Sequence, residues 1–238
     1  CYSFLIMRIL YICRVFSGLE TSLSKLSWQP TGAPTIYIIM EELDRSENKV
    51  RFLIPCKGIG SNYRTQWATP VDQTVIMSGL KHPVFVLASE HRFPKWLGRI
   101  RGPLTSLRQL WRIFQTALSF RPELVYVDRA NVLAGALLAH LLKTPVVLRV
   151  MGVYPSMWDV TSEKTLRSWI IRWAFRAPFA MVICTQDGSG GEYWLPKVLR
   201  RGVPFHMLLN GRTEVAPSSD NHPKLKDLPK DRTIVLFV

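Results

Sequence analysis

The 238-residue chain carries 31 Lys and Arg against 17 Asp and Glu, a net charge of +14, and 47% of its residues are hydrophobic. That apolar content supports an ordinary buried core and excludes a chain disordered throughout, while the length fits one large domain or one domain plus part of another. The charge favours an anionic neighbour, and Cys1, Cys13, Cys56 and Cys184 are too scattered for a zinc site or a disulfide framework, which fits a reducing compartment.

The opening "CYSFLIMRILYICRVF" is apolar, but it is short for a bilayer span and interrupted by Arg8 and Arg14. It also lacks the charged start and small-residue cleavage site of a signal peptide. Met7 leads directly into a first strand, "RILYICRVF" (8–16), so residues 1–6 read as an extension outside the native domain. A polar loop then runs to Gly32, and "APTIYIIMEELDRS" (33–46) has helical spacing with Pro34 in its first turn. Strands follow at 50–56 ("VRFLIPC") and 83–88 ("PVFVLA"), then an amphipathic helix at 104–120. "ELVYVD" (123–128) is a fourth strand, after which Asn131 caps the helix "VLAGALLAHLLK". "PVVLRV" (145–150), a helix over 163–176, "FAMVICT" (179–185) and "FHMLLN" (205–210) complete the series. Alternating strands and helices predict an α/β fold: a doubly wound, Rossmann-like parallel sheet with helices on both faces.

The segment 215–232 is rich in Pro, Ser, Asp and Lys and reads as a linker. The closing "TIVLFV" (233–238) reads as the first strand of a second domain. The expected organisation is therefore a domain over 7–214, that linker, and a strand of a truncated neighbour.

In an open parallel sheet the ligand lies at the carboxyl ends of the strands. Those exits supply Asp128, Arg129 and Asn131, then Arg149, Met151, Gly152 and Tyr154, and finally Asn210. Arg149, inside an apolar strand, is costly unless paired or opened onto a cleft, and Asp128 is its nearest candidate partner. Either a ligand-holding guanidinium or a structural ion pair satisfies that constraint. Gly32 precedes a helix whose amides could face an anion, or else marks a simple turn. "KGIGSNY" (57–63) and "DGSGGEY" (187–193) match no phosphate fingerprint and suit turns as well as phosphate cradles. His82, His91, His140, His206 and His222 show no metal-ligand spacing, and no motif asks for a cofactor or a metal.

Basic and aromatic residues interleave over 91–114, where Arg92, Lys95, Trp96, Arg99 and Arg101 would suit an anionic membrane surface. "RSWIIRWAFR" repeats the mixture, with Trp169 and Trp173 one helical turn apart. A helix packing its Trp and Leu on the sheet with solvated arginines accounts for both segments equally. The expected location is the cytoplasm, peripheral at the inner face of the membrane if the surface contact holds. Nucleic-acid binding has only the charge in its favour, because no recognition motif accompanies it.

In order and wording these pieces resemble the N-terminal, acceptor-side domain of family 4 retaining glycosyltransferases of the GT-B fold. The resemblance rests on "MRILYI", "TGAPTIYIIMEEL", "RPELVYVDRANVLAGALLAHLLKTPVVLRVMGVYP" and "MLLNG", and "TIVLFV" is similar to the opening strand of that family's second domain. It implies an acceptor, a glycan or a lipid-linked glycan, held by this half, and a nucleotide sugar held mainly by the other. The implied half would be inactive alone. The family's paired donor-site glutamates have seven residues between them, and no two glutamates here have that spacing. Met151 stands where many members carry a histidine, and the acid that usually follows the Asn210-Gly211 turn is displaced to Glu214. A thioether cannot carry a proton, so the implied catalytic group is unassigned. The alternative is a non-catalytic doubly wound module that binds a sugar or a phosphorylated ligand.

Overall fold

The structure is a computed structural model that describes residues 6–16, 18–56, 69–89 and 101–209. Its centre is an eight-stranded sheet in the order β3-β4-β2-β1-β5-β6-β7-β8. The strands are β1 (Arg8–Ile12), β2 (Lys49–Pro55), β3 (Gln73–Val75), β4 (Val84–Leu87), β5 (Leu124–Asp128), β6 (Val146–Val150), β7 (Met181–Thr185) and β8 (Phe205–Leu208). All neighbours run parallel except β3, which pairs antiparallel with β4 at the edge. The α/β doubly wound fold expected from the sequence is present. β3 departs from the all-parallel expectation, being short and having only Val75 buried, so its apolar signal is faint.

The helices are α1 (Leu19–Lys25), α2 (Pro34–Arg45), α3 (Arg101–Phe120), α4 (Val132–Leu141), α5 (Pro155–Ser162), α6 (Leu166–Phe175) and α7 (Gly191–Val198). One face of the sheet buries Tyr11, Phe52, Ile54, Val84 and Val86 against Leu19 and Leu23 of α1 and Ile36 and Met40 of α2. The other face buries Leu10, Ile12, Val127, Leu148 and Val182 against α3 to α7, with Trp194 wholly enclosed. Strict alternation along each central strand feeds the two cores separately. α4 comes close to β5 because Gly135 faces it: a Cβ there would stand 2.7 Å from a Val127 methyl.

Three helices are additions to the sequence reading. α1 lies in what reads as loop, α5 lies just before the helix expected over 163–176 (observed as α6), and α7 follows the Gly-rich 187–190 turn despite Pro196 inside it. The expected linker (215–232) and closing strand (233–238) lie outside the described residues, as do 1–5.

Candidate functional site at the strand exits

Strand order reverses direction between β1 and β5, so the crevice of this sheet opens at their carboxyl ends. Asp128 is the last residue of β5 and is 5% exposed. Its Oδ2 accepts the backbone N–H of Arg14, just past β1, at 3.1 Å. Its Oδ1 accepts the backbone N–H of Asn131 at 3.1 Å and the Asn131 side-chain amide at 2.7 Å. The carboxylate thereby caps a short 3-10 turn, Arg129–Asn131, and ties it to the neighbouring strand. Asn131 does precede α4, but its side chain turns back to Asp128 and makes no cap bond to the helix. Burial raises the Asp128 carboxyl above its usual range, against the pull of the Arg14 and Asn131 hydrogen bonds.

Arg149 sits beside Asp128 in register on β6, yet its Nη2 reaches the other way, donating to Thr185 Oγ1 on β7 at 2.9 Å. Both partners of that bond are buried, Arg149 at 5% and Thr185 at 2% exposure. Arg149 is thus a buried guanidinium that links the ends of β6 and β7. On the same face Tyr126 stacks on Tyr11, ring centroids 5.1 Å apart, and the Tyr11 hydroxyl donates to the Ile36 carbonyl of α2 at 3.1 Å. Burial pushes the Tyr126 hydroxyl up to about 12, despite the Arg149 charge nearby.

The β6 exit is the most constrained backbone in the site. Gly152 has φ +116°, and a Cβ on it would collide with the Asp187 carboxylate of the next exit. The Val153 N–H donates to Ser189 Oγ at 2.7 Å, and Ser189 N–H donates to Asp187 Oδ1 at 3.0 Å. Tyr154 is exposed, and the Arg129 guanidinium lies 5.2 Å from its ring centroid. Met151 is half-buried and packs against the cluster containing Tyr11 and Tyr126.

The structure thus brings together Asp128, Arg129, Asn131, Arg149, Met151, Gly152 and Tyr154 along adjacent strand ends. Gly32 lies against Gly18, past the end of β1: with Gly18 at φ +96°, a Cβ on it would be 2.5 Å from the Gly32 amide nitrogen. Asn210, Arg92, Lys95, Trp96 and Arg99 lie outside the described residues, and Arg101 opens α3. The sequence marked Thr185 and Asp187 as a strand exit and 187–193 as a Gly-rich loop, but it missed Arg14 and the pairings Arg149–Thr185, Gly152–Asp187 and Val153–Ser189. Their signal was weak, since each matters through one hydrogen bond or one close approach that depends on strand order.

Chemically the crescent offers amide, hydroxyl and guanidinium groups and an exposed aromatic ring, which suit holding a polyhydroxylated ligand. Among the described residues the thiols are buried and add no nucleophile. Cys13, Cys56 and Cys184 are buried and unpaired; burial pushes Cys56 up to about 12, and burial with the Asp187 charge pushes Cys184 up to about 11. Among the described residues no three His, Cys, Asp or Glu side chains gather as a metal-holding group.

No family model matches the chain, and no curated protein matches it in sequence. In three dimensions it is similar to Anabaena HepE, solved in complex with UDP, at 15% identity and TM-score 0.44, over 87% of this chain and 44% of that one. It is also similar to the UDP-GlcNAc 2-epimerase of Methanocaldococcus jannaschii, at 13% identity and TM-score 0.41, over 85% of this chain and 45% of that one. The chain spans less than half the length of either protein.

Proposed function

We propose that this chain is the acceptor-binding half of a glycosyltransferase of GT-B type, which moves a sugar from a nucleotide donor to a glycan or lipid-linked acceptor. The observation that supports it is the crescent at the strand-order reversal. There Arg129, Asn131, Met151 and Tyr154 are solvent-reachable on a frame locked by Asp128, Arg149 and Gly152. A sugar ring stacked on Tyr154 would find the Arg129 guanidinium and the Asn131 side chain as partners for its hydroxyls. On this reading the donor is gripped chiefly by a second domain, and the half alone transfers nothing.

The test is equilibrium titration of the 238-residue chain with oligosaccharides, UDP and a UDP-sugar, followed by fluorescence. A glycan should bind more tightly than UDP, and Tyr154→Ala should weaken it by about tenfold, the loss of one aromatic contact. UDP binding more tightly than every glycan would overturn the acceptor assignment. A second reading, a non-catalytic module for a sugar or phosphorylated ligand, draws on Met151, which supplies no proton-transfer group. Retention of a sugar phosphate with no glycan binding would favour it.

A further inference from the structure

Helix α6 is amphipathic the wrong way round for a helix that serves only the core. Its buried residues are Ser168, Ala174 and Phe175, and it packs on α4 and α5. Leu166, Trp169, Ile170 and Trp173, spaced i, i+3, i+4 and i+7, form a single stripe that faces water at 75%, 60%, 36% and 36% exposure. Trp173 is held by stacking on His140 of α4, ring centroids 5.4 Å apart, and exposed Leu141 follows His140 at the end of that helix. A contiguous apolar strip of this kind marks a contact surface.

The flanks of the strip identify its partner. Arg167 is exposed on one side, and Arg176 on the other. Next to Arg176 lies a cavity of about 420 Å³ lined by Thr161, Arg172, Arg176, Lys197 and Val198, with no carboxylate among the described lining residues. Arg172 is fixed there by donating to the Val160 and Glu163 carbonyls, each at 3.0 Å, and Lys197 lies 5.4 Å from the centroid of the Trp158 ring. Cations around a hydroxyl-bearing pocket, next to exposed tryptophans, fit a phosphate group with hydrocarbon beside it. No described helix is long and apolar enough to cross a membrane, so such contact would be lateral.

We propose that α6 docks the protein on an anionic lipid bilayer. The Leu166–Trp169–Ile170–Trp173 stripe enters the boundary between headgroups and acyl chains, and the Arg172–Arg176–Lys197 pocket receives a lipid phosphate. The inference stands apart from the acceptor reading and needs no sugar substrate to be tested.

The experiment is co-sedimentation of the full chain with vesicles of phosphatidylcholine alone and of phosphatidylcholine mixed with phosphatidylglycerol. Thermal melts establish that each variant is folded. The wild type should favour the anionic vesicles, with a blue shift of tryptophan emission that is diminished at high salt. Arg176→Gln with Lys197→Gln should lower that partition by about 30-fold, at roughly fivefold per lost cation. Leu166→Gln with Trp169→Gln should lower it by about tenfold or more while leaving the melt unchanged. Equal binding to neutral and anionic vesicles, or none to either, overturns the proposal. So does binding of inorganic phosphate by a chain that ignores vesicles, which makes the pocket a site for soluble anions. Self-association abolished by the Leu166 and Trp169 changes, without vesicle binding, assigns the stripe to a second copy and likewise overturns it.

Discussion

Gly152 and Asp187 share one space: the glycine backbone, at φ +116°, lies where any side chain would strike the Asp187 carboxylate. This fit positions the β6 exit, because Val153 and Ser189 then meet at 2.7 Å. Gly152→Ala should cost about 1–3 kcal/mol from the left-handed backbone alone, with a further loss from the collision. Urea denaturation measures it. Adding Asp187→Ala should return the collision part and leave the backbone part, so a double-mutant cycle showing no coupling would refute this account.

Asp128 provides a pH-dependent test. Its carboxyl titrates higher in the folded protein than in the unfolded chain because it is buried. The folded state therefore binds the proton more readily, and this residue's contribution to stability declines as pH rises from the unfolded carboxylate value through the raised folded one. Asp128→Asn turns an amide donor toward either the Arg14 N–H or the Asn131 donors and should cost about 1–3 kcal/mol. That penalty should be greatest in acid and shrink toward neutral pH. Stability curves measured at several pH values check the slope, and a penalty that grows with pH would show that Asp128 titrates low instead.

Asp72 should behave in the opposite sense. Burial pushes its carboxyl up, but the Ala88 amide and the Arg108 and Arg112 guanidinium groups outweigh it and hold the group below its usual range. The bonds are specific: Arg108 approaches both oxygens at 3.1 and 2.9 Å, and Arg112 Nε lies at 2.9 Å. Their contribution is present above the unfolded carboxylate value and is lost as pH falls through the lowered folded one. Asp72→Asn should cost about 1 kcal/mol at neutral pH, a figure kept small because Arg112 is well solvated. The difference from wild type should vanish in acid.

Gly135 sets the distance between α4 and β5. Gly135→Ala should be destabilising by about 1–3 kcal/mol, although alanine is the better helix former, because its methyl would meet Val127 at 2.7 Å. A neutral or stabilising effect in thermal unfolding would show that the helix can lift without loss. Val127→Ala in the same chain should recover part of the cost.

Much of the fold was legible in the residues. "RILYI", "LVYVD" and "VVLRV" are short β-branched runs between helical segments, and right-handed crossovers leave little freedom in how such runs assemble. β3 was illegible because its Gln73 and Thr74 are exposed, and it is held by pairing with β4 rather than by an apolar pattern. α1 was hidden because its short run of Thr, Ser and Lys carries few apolar residues, and Leu19 and Leu23 become its anchors only once the sheet is there to receive them. The candidate site divides along the same line. Asp128, Arg149 and Gly152 stood out locally as polar or glycine residues at strand ends. Thr185 and Asp187 also lie at a strand exit, but their pairing with Arg149 and Gly152, like that of Arg14 with Asp128, was illegible because the partners lie far apart in sequence.

The sequence by itself determined the α/β class, the strand exits as the candidate place for a site, and the positive charge. Those follow from periodicity, from composition and from the rule that parallel strands open at their carboxyl ends. Only the tertiary structure decided that Arg149 donates to Thr185 on the next strand, and that the Trp169 stripe faces water and not the core. Both outcomes depend on which element lies alongside, and helical spacing defines a stripe without saying what will cover it.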